Sequence, residues 1–270
     1  MGKQRLTITL SESVLKKVDH YIDGIQIRNR SHAIENLLES SFSPSIDTAV
    51  ILAGGAKHVN DNPTLKKIGD RYVLAIMLER LREVGIAKVI ICAGEEGVAI
   101  QKVFGDGSQV GLQMVYSHEK TPLGTAGALK NVDKYIDSEA FLVMHGDVLC
   151  DLDLEALISF HLNENTIATM VVKPAMGATE YGQVVLEGNK IIQFLPSSED
   201  KGISIINTGM YVVKSELFGL IPNVSPLLLE KDIFPLLSSK RELSAFVFQG
   251  FWYDVTSNET YSEAAKQWEE

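Results

Sequence analysis

Thr48-Ala49-Val50-Ile51-Leu52-Ala53-Gly54-Gly55 is a short apolar run that stops on two glycines. Its lack of alternation predicts a strand buried on both faces. Paired glycines at its carboxyl end let the chain turn tightly and let a ligand approach the backbone. In an open parallel sheet, ligands bind in the crevice beyond the strand ends. Taken alone, the stretch fits a purely structural turn and a phosphate-binding loop equally well.

The residues that follow supply partners for such a strand. A polar loop covers 56–67, and Leu74, Met77, Leu78 and Leu81 then share one face of a helix expected over 72–84. Strands are expected over 88–93, 112–116, 140–144, 166–172, 184–186, 191–194, 210–213 and 245–248, with helices over 98–103 and 259–268. Strands alternating with helices imply an α/β fold: a Rossmann-like, mostly parallel sheet covered on both faces. The strand over 140–144 ends in His145-Gly146-Asp147.

Upstream, the pattern changes. Leu6, Ile8 and Leu10 alternate with Arg5, Thr7 and Thr9, as in a half-buried strand. Ser11 is placed to cap a helix carrying Val14, Leu15, Val18, Tyr21 and Ile22, which Asp23-Gly24 ends. Ser31 is placed to cap a second helix with Ala33, Ile34, Leu37 and Leu38. One strand and two short helices cannot bury an adequate core, and a lone strand leaves both edges open. Pairing with the same strand of a second chain answers both problems. The organisation expected is therefore a small module over 1–42, a linker over 43–46 and a large domain over 47–270.

Composition narrows the classes. The formal net charge of -10 argues against a chain that coats nucleic acid throughout, without excluding a small DNA-reading element. The first module carries a balance of about +1, so the remainder carries about -11. Cys92 and Cys150 are the only cysteines, which excludes a disulfide framework and a cysteine zinc site. No segment approaches the roughly 18 apolar residues of a membrane span, and no signal-peptide pattern is present, so a cytoplasmic location is expected.

The βαα order of residues 3–42, with Arg30-Ser31-His32-Ala33-Ile34 opening the second helix, resembles the ribbon-helix-helix DNA-binding family. In that family a two-stranded ribbon from a dimer enters the major groove. The resemblance implies base reading by Arg5, Thr7 and Thr9, phosphate contact by Lys3, and a phosphate held at the helix end near Ser31. A dimerisation arm with no role at DNA remains the alternative, since its outer face needs only to be polar.

Leu52-Ala53-Gly54-Gly55, the block from Pro122 through Leu123-Gly124-Thr125-Ala126-Gly127-Ala128-Leu129, Gly146-Asp147, Tyr181-Gly182, Asn207-Thr208-Gly209 and Trp252-Tyr253-Asp254-Val255 resemble, in order and spacing, the sugar-1-phosphate nucleotidyltransferases. The resemblance implies that a sugar phosphate oxygen attacks the α-phosphorus of a nucleoside triphosphate and pyrophosphate leaves. It implies nucleotide contacts at Leu52, Gly54, Gly55, Gly124 and Thr125, and sugar contacts at Gly182 and Asn207. It also implies Mg2+ held by Asp147 and Asp254, although Asp147 alone fits a strand-end capping role as well. Glu119 suits either a guanine edge or a solvated turn.

The match breaks at two places. The family's Gly-x-Gly-Thr-Arg-Leu loop and Pro-Lys-Pro motif are replaced by a loop containing Lys57, His58, Lys66 and Lys67. The family's Phe-x-Glu-Lys-Pro becomes Phe194-Leu195-Pro196. Cationic groups that stabilise the transition state are thereby lost, and Lys57 and Lys66 are the candidates to replace them. Two functions are compatible with this pattern. One is a DNA-binding regulator, at least dimeric, whose nucleotidyltransferase-like domain senses a nucleotide, sugar phosphate or nucleotide sugar or serves as an assembly body. The other is an active nucleotidyltransferase that uses the first module to oligomerise.

Overall fold

A computed structural model describes residues 6–24, 27–42, 46–54, 62–94, 97–119, 121–177, 181–195 and 202–268, with backbone alone at 39–42. Lys3, Arg5, Gly55, Lys57 and His58 lie outside the described residues. The chain forms two compact units, dividing between Ser45 and Ile46.

In the first unit, helix α1 (Glu12–His20) starts at Ser11, whose hydroxyl accepts the Val14 N–H as expected. Helix α2 (Arg30–Phe42) starts two residues earlier than a cap at Ser31 would place it. The side chain of Asn29 accepts the His32 N–H at 3.0 Å, so Asn29 and not Ser31 caps it. Arg30 spans back to Asp19 with two guanidinium bonds of 2.6 and 2.8 Å. Residues 6–10 form no strand in this single chain, and Thr7 and Thr9 are exposed. The physical reason is that a strand needs a partner edge, and none is present among the described residues. Leu6, Ile8, Val14, Tyr21 and Leu38 are exposed, while Val18 and Ala33 are buried.

The second unit is built on a nine-stranded sheet. Strands β1 (Thr48–Leu52), β4 (Lys88–Cys92), β5 (Gln113–Ser117) and β6 (Ala140–His145) form its parallel half, in the order β5-β4-β1-β6. The sheet continues through β11 (Ile203–Lys214), β8 (Ala168–Met176), β12 (Leu243–Val247), β10 (Lys190–Leu195) and β9 (Gln183–Glu187). All run one way except β10 and β11, so the expected mostly parallel sheet holds with two reversals.

The reading of the apolar run as a two-faced strand is borne out. Ala49 and Ile51 enter one core with Leu142, Met144, Val89 and Ile91, whereas Val50 enters the other with Phe141, Val143, Ile90 and Cys92. Successive strand residues point to opposite faces, so each strand feeds both cores. Helix α3 (Val73–Glu83) seals the first core with Leu74, Met77, Leu78 and Leu81. Helix α5 (Gly124–Asn131) seals the second with Ala128 and Leu129. Helices α4 (Gly97–Phe104), α6 (Leu154–Asn163), α7 (Phe234–Ser239) and α8 (Asn258–Trp268) complete the layers. No helix among the described residues is long and apolar enough to cross a membrane.

Three small strand pairings lie outside the sequence expectation: β2 (Lys67–Ile68) with β3 (Arg71–Tyr72), and β7 (Val148–Cys150) with β13 (Trp252–Asp254). The third is the upper half of β11. The sequence suggested a strand only over 210–213, but pairing with β8 extends it from Ile203 through a register shift at Asn207–Tyr211. The polar triplet Asn207-Thr208-Gly209 hid that continuity.

Candidate active site

The site lies where β1 and β6 end side by side, with Leu52 opposite His145. Gly54 packs on the backbone of Cys92–Gly94. Gly146 donates its N–H to the Leu52 carbonyl at 2.9 Å. A Cβ on Gly146 would lie 2.7 Å from the Thr64 methyl and 3.2 Å from the Ala53 Cβ, so only glycine lets these segments cross.

Asp147 follows at the turn into β7. The antiparallel β7–β13 pair sets Asp254 opposite Val148, and the Val255 N–H donates to the Asp147 carbonyl at 2.8 Å. Burial pushes the Asp147 carboxyl above the usual range, His145 opposes the shift, and the charge of Asp254 adds to it. Asp254 Oδ1 accepts the Thr256 N–H at 2.9 Å and hydroxyl at 2.5 Å, and Oδ2 faces the Tyr181 hydroxyl at 3.4 Å. Two carboxylates that repel one another in a partly dry cleft fit a hard divalent cation, which removes the repulsion. Asp147 and Asp254 would hold it, with substrate oxygens as further ligands. Among the described residues no cluster of three or more His, Cys, Asp or Glu is placed to hold a metal.

The block expected to meet the nucleotide is held from behind. Gly124 sits at φ +75°, and a Cβ there would lie 2.3 Å from the Leu227 carbonyl oxygen. The Thr125 hydroxyl accepts the Leu229 N–H at 2.8 Å and donates to Glu230 Oε2 at 3.2 Å. Its side chain is thus turned into the protein, and the Ala126 and Gly127 N–H groups turn the same way, donating to the Leu227 carbonyl at 3.0 and 3.3 Å. Glu119 is partly buried and accepts the Leu123 N–H at 3.4 Å, and burial raises its carboxyl above the ordinary range.

At the two residues expected to contact a sugar, the Gly182 carbonyl accepts the Asn207 N–H at 2.9 Å, and the Phe194 ring lies close enough that a Gly182 Cβ would fall 2.9 Å from it. The Asn207 side chain donates to the Tyr211 hydroxyl at 2.8 Å and accepts the Gly209 N–H at 3.0 Å. Tyr181 and Trp252 meet edge to face, and the Trp252 indole donates to the Thr208 carbonyl at 3.0 Å.

Sequence reasoning missed Glu230, which stands 3.7 Å from His145 Nε2 and ties β6, β11 and α5 together. No periodicity marks it, because it sits in a single π-helical turn, Leu229–Ile233. Lys66, a candidate to replace the lost cation, is joined to the segment that follows Asp254. Its ammonium is engaged with the Val255 and Thr256 carbonyls, at 2.7 and 3.3 Å. Cys92 and Cys150 are buried and free, as packing residues should be.

Parallel strand ends floored by glycines, with two aspartates brought to them by the β7–β13 pair, define a nucleotidyltransferase-type α/β protein. The family model "Nucleotidyl transferase" matches residues 48–270, and the chain belongs to that family. It is 31% identical over 195 residues to the mannose-1-phosphate guanylyltransferase catalytic subunit beta of Drosophila melanogaster, covering 71% of this chain and 53% of that protein. It is 30% identical over 225 residues to the mannose-1-phosphate guanylyltransferase of Mycobacterium tuberculosis, covering 80% of this chain and 62% of that one. The chain thus spans little more than half the length of these relatives. Among solved structures, HddC from Yersinia pseudotuberculosis complexed with GMP-PN superposes with a TM-score of 0.72 at 24% identity, over 83% of this chain and all of that one. UTP-bound UGPase from Acinetobacter baumannii gives 0.70 at 17%, over 83% of this chain and 93% of that one. These structural likenesses define the fold.

Proposed function

We propose that residues 47–270 act as a sugar-1-phosphate nucleotidyltransferase, with a guanine nucleotide and mannose 1-phosphate as the first substrates to try. The observation that carries this is the meeting of Asp147 and Asp254 through β7 and β13, beside the glycine end of β1. The names of the relatives support the choice of base and sugar. In the reaction, a phosphate oxygen of the sugar phosphate forms a bond to the α-phosphorus. The bond from that phosphorus to the bridging β-phosphate oxygen breaks, and pyrophosphate carries away the electron pair.

Mg2+, when bound, neutralises the phosphate charge that builds up on the way. The chain's own part is placement. Gly54 brings the backbone at the end of β1 close to the triphosphate, the carboxylate pair fixes the cation, and the Gly182–Asn207 segment borders the sugar. The missing loop arginine costs about 100- to 1000-fold where one preorganised charge is lost, so slow turnover is expected. The test is pyrophosphate release from GTP and mannose 1-phosphate with Mg2+, alongside a panel of other pairs. Turnover that Asp147→Ala abolishes supports the reading. No turnover with any pair, and no ligand-induced rise in melting temperature, refutes it.

A second reading, a DNA-binding regulator in which the same pocket senses its ligand or serves as an assembly body, is favoured by one observation. The first unit leaves Leu6, Ile8, Val14, Tyr21 and Leu38 exposed, which suits burial against a second copy. Arg5→Ala would then cost roughly 1–3 kcal/mol in specific binding, and Lys3→Ala would weaken all sequences alike. Ile8→Asp would break the dimer core. Anisotropy with promoter DNA at two salt concentrations decides it, and salt-independent or absent binding ends this reading.

A further inference from the structure

We infer that Lys66 is a positioning residue for Asp254: a strut that holds the end of β13 so that one carboxylate oxygen stays available for a cation. The inference rests on the reading of Asp147 and Asp254 as a cation site. It concerns how this chain builds that site rather than whether the site exists.

Lys66 is itself firmly seated. It follows the 3-10 turn Pro63–Leu65, its N–H donates to the Pro63 carbonyl at 3.1 Å, and its carbonyl accepts the Val73 N–H at 2.9 Å. From this base the ammonium crosses to a segment 189 residues away and donates to the Val255 carbonyl at 2.7 Å. It also reaches the Thr256 carbonyl at 3.3 Å and lies 5.2 Å from the centre of the Tyr261 ring. The Tyr261 hydroxyl returns a hydrogen bond to the Lys67 carbonyl, closing the clamp from the other side.

The clamped segment is the one that orients Asp254. Thr256 gives both its N–H and its hydroxyl to Asp254 Oδ1. With Oδ1 held there, Oδ2 accepts the longer bond from the Tyr181 hydroxyl, at 3.4 Å, and keeps a lone pair for a cation. An ammonium has three donors, and carbonyls take two of Lys66's. A phosphate-binding lysine would need to surrender these bonds, whereas a strut uses them as they stand. Loss of the ammonium frees the Val255–Thr256 carbonyls to rotate, and with them the cap on Asp254. Groups that orient a ligating carboxylate in this way contribute to metal affinity without touching the metal.

The test uses the full chain with Mn2+ alone, followed by electron paramagnetic resonance, and GTP binding measured separately in EDTA. Lys66→Met is expected to weaken Mn2+ binding about ten-fold or more. GTP binding in EDTA should stay at the parent level, and Lys66→Arg, whose fork reaches two acceptors, should restore most of the Mn2+ affinity. Thr256→Val, cutting the same path at its far end, should match Lys66→Met and serves if that variant fails to fold. Parent-like Mn2+ binding in Lys66→Met, or in Thr256→Val, overturns the strut while leaving the carboxylate pair intact. A loss of GTP binding in EDTA with Mn2+ binding unchanged overturns it in favour of direct phosphate contact. A parent that binds no Mn2+ removes the cation site and the strut with it.

Discussion

The Tyr211 hydroxyl donates to Glu230 Oε1 at 3.3 Å and accepts from the Asn207 amide at 2.8 Å, so one fully buried ring joins Asn207 on β11 to the Glu230 turn that holds Thr125. Burial, and next the charge of Glu230, push the phenol well above its ordinary pKa, which keeps it a donor. Tyr211→Phe removes the donor to Glu230 and leaves an Asn207 N–H unpaired. The expected cost is about 1–3 kcal/mol, or roughly 2–4 °C of melting temperature per kcal/mol for a domain of this size. An unchanged melting curve would show that water replaces the hydroxyl.

Gly124→Ala tests the seat of the nucleotide block. The new methyl meets both an unfavourable φ and the Leu227 carbonyl oxygen. Gly188 also has positive φ but open space around it, so Gly188→Ala isolates the backbone strain of about 1–3 kcal/mol. Gly124→Ala should lower the melting temperature further than Gly188→Ala and weaken GTP binding. Equal melting losses with parent-like GTP binding would mean that the Leu227 segment yields freely.

Asp147→Asn separates ligand binding from stability. The substitution removes a carboxylate that burial and Asp254 both disfavour. The ligand-free protein should therefore melt no lower than the parent, while the rise in melting temperature produced by Mg2+ with GTP should vanish. A ligand-free variant that melts well below the parent would mean that Asp147 is chiefly structural.

His161 sets a pH dependence remote from the site. It is buried, its Nδ1 lies 2.8 Å from the Thr169 hydroxyl, and its Nε2 has no partner among the described residues. Burial, helped by the charge of Lys214, lowers its pKa from the ordinary 6.5 to about 4. Between those values the unfolded chain takes up a proton that the folded chain refuses, so stability falls as pH drops from 6.5 towards 4. Urea midpoints at pH 7 and pH 5 should differ less in His161→Leu than in the parent. The same drop in both proteins would assign the acid sensitivity elsewhere.

Much of this was readable in the chain. Ile51 and Val50 announce two cores because neighbours in a buried strand must face opposite ways. The glycines at 54, 124 and 146 and the aspartates at 147 and 254 stand in an order that a single sequence can display. The ribbon expected over Leu6–Leu10 stands otherwise. Its alternation is a local signal, but a strand exists only when another edge meets it, and one chain supplies none among its described residues.

The sequence by itself determined the two-faced sheet, the breaks where glycines follow β1 and β6 and the absence of the family's loop arginine. These follow from local periodicity and residue identity, which travel with the chain. Only the tertiary structure decided that Asp254 lies beside Asp147, that Glu230 stands beneath His145 and that Lys66 spends its ammonium on Val255 and Thr256. Each of these depends on burial and on hydrogen bonds between segments far apart in the chain. Such pairings are set by which polar groups would otherwise be left unsatisfied in the packed interior, and no local pattern records that.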